Sequence, residues 1–78
     1  MTTRAQNERR FQQWEELPNG GRRYWYEVPG RWGWTARYVK DVDEEERTVR
    51  FWQEIYDNRG RLAEIHGKYP LDEDHRKT

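Results

Sequence analysis

The chain has 78 residues, room for one hydrophobic core and none for a large cofactor fold, and it lacks cysteine, which removes disulfides, thiolate nucleophiles and thiolate zinc sites together. Fifteen Lys and Arg balance fifteen Asp and Glu, so no global field steers the molecule onto nucleic acid or an anionic membrane. Leu, Ile, Val and Phe make only 11 residues, so five Trp and five Tyr must carry much of the burial, and the expectation is a small domain that is marginally stable or self-associating.

The first residues are polar and the apolar runs are short, so the expected setting is cytoplasmic, with no membrane segment. A helix is predicted over 3–17, where Arg, Gln, Glu and Ala dominate and Thr3 with Gln6 resembles a capping box. Its apolar stripe would be Phe11, Trp14 and Leu17, and Pro18-Asn19-Gly20-Gly21 would stop it. The period then changes to that of strands, predicted at about 22–28, 32–42, 47–56 and 61–68. Pro29-Gly30 reads as a type II turn, Asp43 to Glu46 as the next reversal, and Asp57-Asn58-Arg59-Gly60 as a type I turn with Gly60 left-handed in a bulge. Pro70 ends the order, leaving 71–78 as a flexible tail. The fold class is α+β: one domain over 1–78, with an N-terminal helix packed on a four-stranded antiparallel β-meander.

Alternation places Tyr24, Tyr26, Tyr38, Val42, Val49, Phe51, Ile55, Ala63 and Ile65 under the helix. The opposite face collects Trp25, Arg37, Val39, Arg50, Trp52, Glu54, Tyr56, Leu62, Glu64 and His66. One helix covers one side of a sheet, so this second face must meet solvent, a partner or a copy of itself. Aromatic planes beside arginine forks suit protein hot spots and single-stranded nucleic acid alike, and they also serve as cross-strand stabilisation. Residues 1–39 are net basic, with arginines interleaved among Trp25, Trp32 and Trp34, whereas 40–78 are net acidic. The basic interleaving suits RNA; zero net charge favours protein.

His66 is predicted two residues after Glu64 on the same face, with Glu54 and Arg50 across the ladder. Such a set can perform RNA cleavage, His66 and Glu64 moving protons and Arg50 stabilising the charge on phosphorus. A half-exposed histidine bonded to a neighbour has the same sequence signature. His66, Asp72, Asp74 and His75 match no recognised metal spacing, so no metal and no cofactor are expected. The chain has no serine and no Gly-rich phosphate loop.

Tyr56-Asp57-Asn58-Arg59-Gly60-Arg61-Leu62 resembles the hairpin of YD (Rhs-type) repeats, which carry Tyr-Asp, two variable residues and Gly-Arg-Leu. The resemblance covers one such unit and implies a bulged hairpin, not the repeat family's shell. The order Tyr56-Asp57-Asn58, His66, Pro70, His75 is loosely similar to small toxin components of bacterial toxin-antitoxin pairs, although their dense C-terminal histidine cluster is missing here. That likeness implies an action on RNA.

The reading that results is a non-catalytic macromolecule-binding module, holding a protein partner or a second copy through Trp25, Arg37, Arg50, Trp52 and Tyr56. On this reading Trp52→Ala weakens binding and leaves the fold intact. The alternatives are a ribonuclease-type toxin or RNA-binding protein using His66, Glu64 and Arg50, and a purely structural assembly subunit.

Overall fold

A computed structural model describes residues 3–69, and among them one short helix and one antiparallel sheet form. In chain order the elements are α1 (Arg4–Arg10), β1 (Gln13–Glu16), β2 (Arg22–Pro29), a 3-10 turn (Arg31–Gly33), β3 (Thr35–Val42), β4 (Thr48–Tyr56) and β5 (Leu62–Tyr69). The strands lie side by side in that order, so the α+β meander stands with five strands in place of four. The expected tail over 71–78 lies outside the described residues.

The fifth strand comes from the segment read as helix. The Thr3–Gln6 capping box forms, each residue's backbone N–H donating to the other's side chain at 2.9 and 3.2 Å. The helix nevertheless stops at Arg10, and Phe11 is already extended. Trp14, Glu15 and Glu16 then pair antiparallel with Tyr24, Arg23 and Arg22. Helix propensity over 11–17 loses because the strand gains a ladder on β2, and because Trp14 packs on Tyr24 at 6.1 Å between ring centroids. Pro18 to Gly21 is therefore a hairpin turn and not merely a helix stop. Leu17 N–H donates to Gly21 C=O at 2.9 Å and Gly20 adopts φ +90°.

The same turn occurs three times. Residues 17–21, 43–47 and 57–61 each close with the first residue's N–H on the fifth residue's carbonyl, and the fourth residue's N–H on the first residue's carbonyl. The fourth position is left-handed each time: Gly20, Glu46 and Gly60. Asp43 and Asp57 also accept from backbone N–H groups within their own loops at 2.8–2.9 Å, as short polar side chains do in turns. The hairpin expected at Asp57 to Gly60 thus forms as read. The β2–β3 reversal does not sit at Pro29-Gly30. Pro29 still pairs with Thr35, Gly30 has φ −114°, and the left-handed residues are Trp32 and Gly33.

The faces hold through most of the sheet and fail at bulges. Val49 is the extra residue between Thr48 and Arg50, whose partners Val42 and Asp41 are adjacent, and it turns outward. A further bulge at Ala63 shifts β5: Glu64 lies opposite Ile55, Ile65 opposite Glu54, and His66 opposite Gln53. Ile65 therefore belongs to the second face, while Glu64 and His66 belong to the helix side, the reverse of the sequence expectation. One extra residue moves everything beyond it to the other face.

The core lies at the end of the sheet that carries α1. Phe11, Tyr24 and Val42 are fully buried, with Tyr26 and Phe51 against them. The Phe11 ring centroid is 5.8, 5.3 and 6.5 Å from those of Tyr24, Tyr26 and Phe51. Tyr26 stacks on Tyr38 beyond them at 5.1 Å. Aromatic rings thus supply the burial that the few aliphatics cannot.

Candidate binding face

The second face of the sheet carries no other element over it among the described residues. Its central row runs Trp25, Val39, Trp52 across β2, β3 and β4, and the adjoining row runs Glu27, Arg37, Glu54. Trp25, Arg37 and Trp52 meet at a shallow hollow of about 260 Å³, with Glu15, Arg23, Val39 and Glu54 completing its walls. Of the five residues expected to bind, three therefore share one concavity. Arg50 lies over the Trp52 ring at 4.7 Å, and Tyr56 sits two positions beyond Glu54 along β4.

This face is neutralised from within. Arg23 donates two hydrogen bonds to Asp41 at 2.8 and 3.0 Å, and its guanidinium also lies 5.4 Å from the centre of the Trp52 ring. Arg37 donates twice to Glu27 at 3.1 and 2.7 Å and covers the Tyr56 ring at 5.2 Å. Glu54 accepts from the Trp52 indole at 2.7 Å and from the Tyr56 hydroxyl at 2.6 Å. Hydrogen bonding to Glu54, helped by burial, pushes the Tyr56 hydroxyl above its ordinary pKa. Arg23 and Arg37 are thus already paired with Asp41 and Glu27, and Arg50 alone among the face's arginines has no ion pair among the described residues.

Trp52 requires a correction. It is only 7 % exposed, covered by Arg23, Arg50 and its cross-strand neighbour Val39. Truncating it opens a cavity, so it cannot serve as a fold-neutral probe of binding. Trp25 and Tyr56 remain half-buried and Arg50 exposed.

His66, Glu64 and Arg50 do not converge. His66 Nε2 lies 2.7 Å from Glu64 on the helix side of exposed β5. Arg50 stands opposite Asp41 and stacks on Trp52 on the other face. Gln53, not Glu54 or Arg50, is across from His66. Among the described residues no group of three His, Asp or Glu gathers as a metal site, and Asp72, Asp74 and His75 fall outside them.

Two features escaped the sequence reading. Glu46, read as part of an acidic surface turn, is buried, and its carboxylate accepts hydrogen bonds from the Tyr24 hydroxyl, from Asn7 at 3.1 Å and from Arg4 at 3.4 Å. Lys40 in turn donates to Asn7 at 2.9 Å. Burial pushes Glu46 up, but the bonds from Tyr24, Asn7 and Arg4 outweigh it and hold the carboxyl below its ordinary value. Burial, with the bond to Glu46 second, raises the Tyr24 hydroxyl. This node fastens α1 to the sheet. Aligning the three turns would have flagged it, since only Glu46 occupies a left-handed position without being glycine. The other feature is Trp32, which is 80 % exposed and also left-handed, at φ +57°.

On the helix side an open cleft of about 770 Å³ is floored by Phe11 and Phe51, with Arg10, Lys40, Arg47 and Tyr69 around it. Burial, reinforced by Arg10, lowers the Lys40 ammonium against the opposing pull of Glu46. No helix among the described residues is long and apolar enough to cross a membrane. The chain matches no family model, no curated protein and no solved structure.

Proposed function

We propose that this chain is a non-catalytic protein-binding module that pairs with a second copy of itself through the β5 edge and so enlarges the second face of its sheet. The observation that carries this reading is β5. It has no outer neighbour among the described residues, and it extends the second face with Leu62 and Ile65, which are 50 % and 56 % exposed. An edge strand with exposed aliphatics is a template for strand addition.

Register supports a second copy as the occupant. Antiparallel pairing of two β5 strands about a two-fold axis at Ile65 sets Glu64 of each copy opposite His66 of the other, and Ile65 against Ile65. An imidazole facing a carboxylate across a ladder can hydrogen-bond to it, whereas two carboxylates facing one another would oppose pairing. The two sheets then become one, and the rows around Trp25, Arg37 and Tyr56 form a continuous surface.

Sedimentation velocity across a concentration series tests this. The native chain should pass from monomer to dimer within the micromolar range, and Ile65→Asp should remain monomeric with an unchanged far-UV spectrum. A chain that stays monomeric at the highest concentration, or an Ile65→Asp variant that dimerises equally well, refutes the reading.

A further inference from the structure

The end of the sheet farthest from α1 is built from the β2–β3 and β4–β5 hairpins, and it gathers an exposed indole and three arginines, two of them without an ion pair among the described residues. Trp32 projects there, 80 % exposed, from a left-handed backbone that a bulky residue adopts only at a cost. Two backbone hydrogen bonds hold that turn, Gly30 N–H to Trp34 C=O at 2.7 Å and Trp34 N–H to Arg31 C=O at 3.0 Å, and the Arg31 guanidinium lies 6.0 Å from the centre of the indole ring. The two hairpins adjoin, since a Cβ on Gly33 would stand 3.2 Å from that of Asn58. Arg59, next to Asn58, is exposed, and neither it nor Arg31 forms an ion pair among the described residues. Arg61 approaches Asp57 only to 3.9 Å, and Asp57 already accepts from the backbone N–H groups of Arg59 and Arg61.

We infer that this hairpin end is a contact site for a single-stranded polynucleotide, with an unpaired base stacking on Trp32 and phosphates held by Arg31, Arg59 and Arg61. A polyanion is favoured because three guanidiniums meet one carboxylate that is already engaged. A flat, unpaired base is favoured because the indole stands clear on a convex tip. Hot-spot aromatics of protein interfaces sit instead within a ring of neighbours that excludes water, which Trp32 lacks. Stacking on an exposed indole and fixed arginine forks are the two elements of sequence-tolerant single-strand binding. Zero net charge makes the site short-ranged, so it should show best at low salt.

The test is fluorescence anisotropy with labelled oligouridylate and oligothymidylate of about 15 nucleotides at about 50 mM salt, on the full chain. Trp32→Ala should weaken binding by about tenfold, as expected for loss of one stacked base, and Trp32→Phe should recover part of it. The pair Arg31→Ala with Arg59→Ala should weaken binding and flatten its salt dependence. Arg9→Ala, at the α1 end, should change affinity less than about twofold if contact is local and not diffuse. Preference for one oligonucleotide identifies the strand as RNA or DNA, and equal binding supports the site as a general one. Failure of both probes to bind, retention of affinity in Trp32→Ala, or an equal loss in Arg9→Ala overturns the proposal. Because none of the residues varied in this test lies on β5, these outcomes are distinguishable from a failure of the β5 pairing.

Discussion

Replacing Glu46 by glycine sets local turn chemistry against tertiary packing, with opposite signs. In the turn alone the change is favourable: the same position is Gly20 in one hairpin and Gly60 in another, and a left-handed non-glycine residue costs about 1–2 kcal/mol. Glycine returns roughly 0.5–1 kcal/mol of that through unfolded-state entropy, so the turn gains between about 0 and 1.5 kcal/mol. Against this, loss of the carboxylate strips the acceptor from the Tyr24 hydroxyl and the Asn7 amide, on side chains that are 0 % and 1 % exposed. Each buried group left without a partner costs about 1–3 kcal/mol. The net expectation is a loss of about 3 kcal/mol, a large part of the roughly 4–12 kcal/mol that a chain of this length commands. In a domain this small that corresponds to a fall of about 12–24 °C in melting temperature. Urea unfolding followed by far-UV circular dichroism measures it.

The same variant carries a pH signature. The folded Glu46 carboxyl titrates below its ordinary value of 4.5, so the stability it supplies is present in full above that value and fades as the pH falls through the lower folded one. The gap between wild type and Glu46→Gly should be constant from about pH 7 to pH 5 and shrink towards about pH 3. A variant as stable as wild type at neutral pH, or a gap that does not narrow in acid, refutes the assignment of Glu46 as the latch of α1.

Two further outcomes follow from the packing. Gly21→Ala would drive a Cβ to 2.1 Å from the Val42 carbonyl oxygen, whereas Gly60→Ala meets open space and only the strain of φ +80°. Thermal melts should therefore show the first as unfolded or nearly so and the second as weaker by about 1 kcal/mol; similar losses for both would contradict the geometry. Trp52→Ala should cost about 3–5 kcal/mol in chemical denaturation, as for other buried aromatics, and a loss below about 1 kcal/mol would mean that the arginines do not cover the ring.

Local chemistry in the sequence determined much of this protein. The Thr3–Gln6 capping box, the Asp57 to Gly60 hairpin, the antiparallel meander and the face on which Trp25, Arg37, Trp52 and Tyr56 meet all depend on neighbours within a few residues or on a two-residue period. What the sequence left open was decided by pairing at a distance. Residues 11–17 have helical composition, but 13–16 became β1 because β2 offered a ladder, and only packing could choose between the two. Extra residues at Val49 and Ala63 carry no side-chain signal, yet the second of them moved Glu64 and His66 away from Arg50 and separated the set that would have cleaved RNA. Whether an indole is sheltered or offered was likewise a tertiary matter. Trp52 is covered by guanidiniums from two other positions, while Trp32, next to Arg31 in the chain, is lifted clear by a turn whose strain the sequence does not display.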